Sequence, residues 1–206
     1  MSLHTFVLVA PCVLVSLALH ELAHAWVAAR LGDPTAREQG RLTLNPVRHL
    51  DPLGTLMFAV TALTAGTPFG WAKPVPVNPG HFRRPKEGMA LVAAAGPAMN
   101  FVLALVALAI STHVDLHGQA AEVVYYVYLV NVVLGIFNLI PIPPLDGSRI
   151  VAVLMNDATY RQWAALDSYG MLIVLGLFFV FRSESSQVLS GAYDAVTSVL
   201  QRIVGA

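Results

Sequence analysis

Residues 4–30 form one nearly unbroken apolar run, and inside it stands His20-Glu21-Leu22-Ala23-His24. The run is long enough to cross a bilayer, whose hydrocarbon core takes about 20 residues of helix. Three ionisable groups in one span are tolerated only where they face a bundle interior or a wet cavity. Composition agrees with that reading: 56% of the 206 residues are hydrophobic, 12% are charged, and the mean hydropathy is +0.66. A soluble domain carries about a quarter charged residues. The expected fold class is an all-α membrane protein, a polytopic helix bundle of about four to five spans. The lipid bilayer is then its solvent.

The formal net charge is zero and no basic block is present, which argues against a nucleic-acid partner. One cysteine, Cys12, excludes an internal disulfide framework. Only His4 precedes the first apolar run, so it lacks the positive region of a secretory signal and reads as a retained span. The whole chain is expected to form one membrane-embedded domain, with a core at 4–150. Residues 165–206 then add an accessory span and a C-terminal amphipathic helix.

Along the chain, Gly32 and Asp33-Pro34 close the first span. Asp51 and Pro52 provide an N-cap and a first helical residue for a short apolar piece, 53–65, broken by Gly66 and Pro68. Residues 69–82 hold too many prolines for a helix and read as extended. Pro85 and Glu87 open a long helix to about 111, a polar link follows, and 123–140 is the next span. The stretch PIPPLDG (141–147) breaks that span at membrane depth, with a short helix resuming from Ser148. Residues 166–181 read as a further span, and 187–204 show apolar residues at helical spacing that should pack on the bundle.

Lys and Arg orient these pieces. The segments 30–51, 73–86 and 149–161 hold ten of the twelve, and the link 112–122 holds none, so the first three belong on the cytoplasmic side. Both flanks of 53–65 are therefore positive. A piece of about 13 residues with both ends on one side is re-entrant or shallow.

On a helix, His20 and His24 lie one above the other on one face, where both imidazoles reach one metal ion. Glu21 sits beside them, placed to act on a water rather than to ligate. This is the H-E-x-x-H logic of two ligands and a general base. The bland alternative, two satisfied buried histidines, loses ground inside a span, where ionisable groups are costly. Zinc of this kind needs a third protein ligand and an open position. His4 lies too far along the helix. His49 and His81 sit in cytoplasmic segments, and His113, Asp115 and His117 occupy the opposite link as solvated loop residues. Asp146 remains, in the helix break. If 53–65 does not cross, HELAH and PPLDG fall at the same depth; a full crossing would separate them. The zinc reading and the charge rule demand the same parity.

The combination of HELAH (20–24) and FNLIPIPPLDG (137–147) resembles the site-2 protease family of intramembrane zinc metalloproteases. GRLTLNPVRHLDPLGT (40–55), FGWAKPVPVNP (69–79) and GPAMN (96–100) are similar to its small bacterial members, without a PDZ or other regulatory domain. The resemblance implies one Zn2+ per chain on His20, His24 and Asp146, with Glu21 as catalytic base. It implies that Asn138 orients the peptide or stabilises the oxyanion; an interhelical hydrogen bond is the plainer alternative for that residue. Asn100 is a candidate substrate-binding residue, against a plainer role bonding across helices beside Gly96. Trp71 and Lys73 are substrate-binding candidates on an extended segment that either offers a strand edge or merely connects. The implied partner is a single-span membrane protein, such as an anti-sigma factor or a signal-peptide remnant. The implied location is the cell membrane, multi-pass, with the active site towards the cytoplasm. The rival readings are a catalytically inactive relative and a metal-handling membrane protein using the same His/His/Asp site. Neither the substrate's identity nor an oligomeric state is written in the sequence.

Overall fold

Ser2 starts the first helix: its hydroxyl accepts the Thr5 N–H at 3.1 Å, and α1 runs over Leu3–Arg30. The computed structural model describes the backbone of residues 1–64, 69–180 and 182–205, without the side chains at 171, 177–180, 182–186 and 188. After α1 come a short α2 (Thr35–Glu38), α3 (Pro52–Thr64), α4 (Pro85–His113) and α5 (Gln119–Asn138). The chain continues through α6 (Asp146–Val151), α7 (Asp157–Ala165), α8 (Gly170–Val180) and α9 (Arg182–Val204). Among the described residues there is no strand, only an isolated antiparallel bridge between Leu50 and Ala72.

Three of these helices, α1, α4 and α5, are long and apolar enough to cross a membrane. The expected span at 166–181 is described as a 3-10 turn at Leu166–Tyr169 followed by the 11-residue α8. Its last residue, Phe181, lies outside the described residues. Against the sequence reading, α5 starts earlier and ends at Asn138, α6 resumes at Asp146 rather than Ser148, α9 begins at Arg182 rather than 187, and α2 and α7 are additional. Pro141 explains the early stop, because it disfavours helical backbone at the residue before it and brings no N–H of its own.

The packing is that of a membrane bundle. Small residues line the interior: Ala18, Ala23, Ala25 and Ala28 of α1, and Ala93, Gly96, Ala104 and Ala107 of α4, are buried. Large apolar side chains such as Val7, Val15, Val102, Val106 and Val133 are exposed instead. Small interior residues let backbones approach closely where lipid removes any hydrophobic drive between helices. Residues of α9 close one side, with Leu200, Tyr193 and Val196 against Ala104, Ala107, Tyr128 and Val132. Tyr128 also meets Thr197 at 2.7 Å. The C-terminal helix therefore packs on the bundle, as its spacing predicts.

Helix direction can be read from the contacts. His4 pairs with Glu122 at one end of α1 and α5, and Ser16 meets Asn131 further along, so those two run parallel. Val92 lies against His24 and Asn100 against His20, so α4 runs antiparallel to α1. Ala28, Phe82 and Val92 share a cluster with Leu31, Val77 and Met89, which puts the exit of α1 and the entry of α4 at the same end. The flanks of α3 meet there too: the Lys73 N–H donates to the His49 carbonyl at 2.9 Å beside the Leu50–Ala72 bridge. Between them α3 goes out, capped by the Asp51 carboxylate on the Gly54 N–H at 2.8 Å. Residue 69 then bonds back to Thr61 in both directions. The described residues on either side of 65–68 thus lie against each other, and the two flanks of α3 return to the same end of the bundle. The expected break at Gly66 and Pro68 lies outside the described residues.

Candidate metal centre

His20 and His24 sit one helical turn apart on the buried face of α1, with their rings edge to face at a centroid separation of 4.6 Å. Both have their Nδ1 atoms turned away from each other and occupied. His24 Nδ1 donates to the Val92 carbonyl at 2.7 Å, and His20 Nδ1 lies 2.6 Å from Asn100 Oδ1. A carbonyl oxygen only accepts, so each neutral ring carries its proton on Nδ1 and a lone pair on Nε2. The two Nε2 atoms then face each other at 3.0 Å with no proton between them, which is no hydrogen bond.

Asp146 supplies the third group. Pro141, Pro143 and Pro144 bring no N–H to a helix, and the chain turns instead through Ile142 N–H to Ile140 O and Leu145 N–H to Ile142 O. A Cβ at Gly147 would overlap the Leu139 carbonyl, so only glycine lets the new helix start this close to the old one's end. The Trp163 indole N–H holds α6 from outside through the Ser148 carbonyl at 3.1 Å. Asp146 Oδ2 consequently lies 3.1 Å from His20 Nε2 and 3.4 Å from His24 Nε2. That oxygen is buried and receives no hydrogen bond.

Three lone-pair atoms converging without a donor is an arrangement that a cation satisfies. Two imidazoles and one carboxylate are a zinc-type set that leaves a fourth position open. His20, His24 and Asp146 are the one trio of possible ligands that comes together among the described residues.

The trio opens into a cavity of about 620 Å³ whose walls include Glu21, Trp71, Ala72, Asn138, Asp146 and Arg149. Glu21 Oε2 accepts the Val75 N–H at 2.9 Å, so the extended segment after α3 crosses directly over it. Asn138 gives one amide hydrogen to the Leu134 carbonyl of its own helix at 3.0 Å. Arg149 is paired with Asp167.

Two expected site residues stand elsewhere. Asn100 is fully buried behind His20, bonded to His20 and to Asn131, and is no part of the cavity wall. Both ends of its amide are taken inside the bundle, which is the plainer role of a bond across helices. Lys73 is exposed and also outside the wall; its backbone is taken by His49 and by Arg41, whose guanidinium donates to the Lys73 carbonyl at 2.6 Å. The histidines set aside from the sequence are indeed remote. His49 is buried on the Thr43 carbonyl, His81 bonds Asp33, and His117 pairs with Asp115 in the exposed link. Sequence reasoning missed the Val92 carbonyl, Ser16 and Asn131. A backbone acceptor leaves no mark in a sequence, and a polar residue on a span shows only that it wants a partner.

Comparison with known proteins follows this geometry. The model of peptidase family M50 matches residues 112–181, the stretch that carries Asn138 and Asp146. A Bacillus subtilis (strain 168) protein named Putative zinc metalloprotease YwhC is 41% identical over 174 residues, covering 80% of this chain and 77% of its own. A Mycolicibacterium smegmatis protein named Putative zinc metalloprotease Rip2 is 32% identical, over 84% of this chain and 66% of its own.

The chain belongs to peptidase family M50, the site-2 proteases.

A further relative, named Zinc metalloprotease MJ0392, from Methanocaldococcus jannaschii, is 28% identical over 69% of this chain and 32% of its own. No solved structure matches. Membership in a zinc metalloprotease family implies zinc, and the donor set found here fits it.

Proposed function

We propose that this M50 chain is an intramembrane zinc metalloendopeptidase that hydrolyses a peptide bond in or near the transmembrane segment of a single-span membrane protein. One observation carries the reading. His20 Nε2 and His24 Nε2, on a helix apolar enough to span a membrane, converge with Asp146 Oδ2 of α6 within 3.4 Å of one another and without a donor.

In this reading His20, His24 and Asp146 hold one zinc ion. An ion held there would supply Lewis-acid polarisation of the scissile carbonyl and would make a water acidic enough to react near neutral pH. Glu21 takes the proton of the attacking water and delivers it to the leaving amine as the C–N bond breaks. Asn138, with one amide hydrogen held by Leu134, has a second to donate to the developing oxyanion. The bundle keeps bulk water from the substrate's apolar flanks.

A helical substrate hides its carbonyls, so the scissile stretch unwinds before it reacts. Residues 71–77 lie extended across the cavity, and Trp71 stands on its wall. Pro74 and Pro76 have no N–H, so Val75 is the donor in this stretch that faces Glu21. A substrate strand pairing here takes the Val75 N–H from Glu21, which frees the carboxylate for the water. Unchanged cleavage rate and position in Trp71→Ala and Lys73→Ala would remove this segment from substrate binding.

The catalytic end of the bundle is the end rich in Lys and Arg, which supports a multi-pass protein of the cell membrane with its site towards the cytoplasm. The test is cleavage of a single-span reporter in proteoliposomes, run beside zinc analysis. Cleavage that survives Glu21→Gln overturns the mechanism. A zinc-loaded wild type that cleaves no single-span reporter returns the site to a metal-handling or inactive relative.

A further inference from the structure

Behind His20, on the side away from the cavity, three helices are joined by one line of buried amides. Asn100 of α4 lies 2.6 Å from His20 Nδ1, and its Nδ2 is 2.8 Å from Asn131 Oδ1 of α5. Asn131 Nδ2 in turn lies 2.8 Å from Ser16 Oγ of α1 and 2.8 Å from the Val127 carbonyl. Ser16, Asn100 and Asn131 are at most 2% exposed, and neither asparagine is in the wall of the cavity beside the trio.

The direction of every bond in this line is fixed from one end. The Val127 carbonyl can only accept, so the group facing it must be the amino end of Asn131. The carbonyl end of Asn131 then faces Asn100, which must answer with its own amino end. That leaves the Asn100 oxygen facing His20, which must donate from Nδ1. The Nε2 atom is thereby left bare, turned towards His24 and Asp146. A backbone carbonyl on α5 dictates, through two side-chain amides, which nitrogen of a histidine on α1 has the lone pair.

We propose that Asn131 is a positioning residue for the metal centre, acting through Asn100 to hold the tautomer and the ring orientation of His20. Without Asn131, the Asn100 amide has no fixed sense. Once rotated, it presents its amino end to Nδ1, which moves the imidazole proton to Nε2, where it blocks a metal. The proposal rests on the zinc reading above.

The experiment measures zinc affinity by chelator competition and the visible spectrum of the cobalt-substituted protein, on detergent-purified full chain. Asn131→Leu keeps the volume and removes the amide. Its zinc affinity falls about 10- to 100-fold, the usual effect of losing a group that orients a ligand, and its cobalt bands shift. Asn100→Leu does the same, and the double variant is no weaker than Asn100→Leu alone, because the two act in series. Tyr128→Phe, which removes the bond to Thr197 one turn away on α5, leaves affinity unchanged. Where Asn131→Leu does not fold, Asn131→Ser serves: its hydroxyl bonds the Val127 carbonyl but cannot reach Asn100. Unchanged zinc affinity and cobalt spectrum in a folded Asn131 variant overturn the proposal. So do additive losses in the double variant, or an equal loss in Tyr128→Phe. A folded wild type that binds no zinc fails the zinc reading itself, a different result from any of these.

Discussion

A Cβ placed on Gly96 would lie 2.5 Å from His20 Nε2 and 2.5 Å from His24 Cε1. No real side chain fits at that distance, so this one position on α4 decides whether both imidazoles can occupy their places. Gly96→Ala is expected to push the rings apart, lowering zinc affinity at least tenfold and stability by about 1–3 kcal/mol, as overpacking does. Zinc competition and thermal unfolding check it. The control is Gly191→Ala on α9, where a Cβ meets nothing within 4 Å and a helical glycine is replaced. That change should stabilise by about 0.5–1 kcal/mol.

Glu21 touches the Val75 N–H rather than the His/His/Asp trio. Glu21→Gln retains a carbonyl oxygen to accept that N–H, so the fold and the zinc content should stay as they are. Cleavage should fall by about 100-fold or more with the loss of the general base. Paired measurements of reporter cleavage and bound zinc separate the two effects.

Asp146 Oδ2 is a buried acceptor without a donor. Asp146→Ala should reduce bound zinc from about one per chain to a small fraction, read by elemental mass spectrometry. Removing zinc with a chelator should lower the unfolding temperature of the wild type, because a ligand bound only to the folded state stabilises it. The variant should show little response to the same chelator.

Asp33 is fully buried just past α1, accepting from the Thr35 N–H and hydroxyl, from the Asn78 N–H at 2.7 Å and from His81 Nδ1 at 2.9 Å. Burial raises its pKa, but these hydrogen bonds outweigh burial and hold the carboxyl below its ordinary value. A lowered folded-state pKa means stability that is present above the unfolded value of about 4 and lost as the pH falls through the folded one. Asp33→Asn should therefore cost about 1.5–3 kcal/mol at pH 7, the worth of hydrogen bonds to a charged group. The gap to wild type should narrow in acid. Denaturation at pH 7 and at successively lower pH tests it; a gap constant with pH would contradict the charge assignment.

Much of this molecule is legible in its sequence, for a definite reason. Ionisable groups inside an apolar run are so expensive that HELAH implies a metal or a partner. Prolines inside a span are so disruptive that PIPPLDG implies a break. Both are local penalties, and local penalties leave marks in composition and spacing. The positive flanks of 53–65 called for two ends on one side, and in the structure Leu50 pairs with Ala72.

What escaped the sequence was relational. For Asn100 the sequence favoured a bond across helices over a peptide contact, but only the fold names its partners, His20 and Asn131. The role of Gly96 depends on two rings from another helix, the hold on His24 on a main-chain carbonyl, and the hold on His20 on an amide line that starts at Val127. The sequence by itself determined the residue types and the apolar helices that carry them, because each follows from the energy of one segment in lipid. Tertiary structure alone decided the direction of each hydrogen bond and the bare Nε2 atoms, because a side chain's partner is set by what other helices bring within about 3 Å of it.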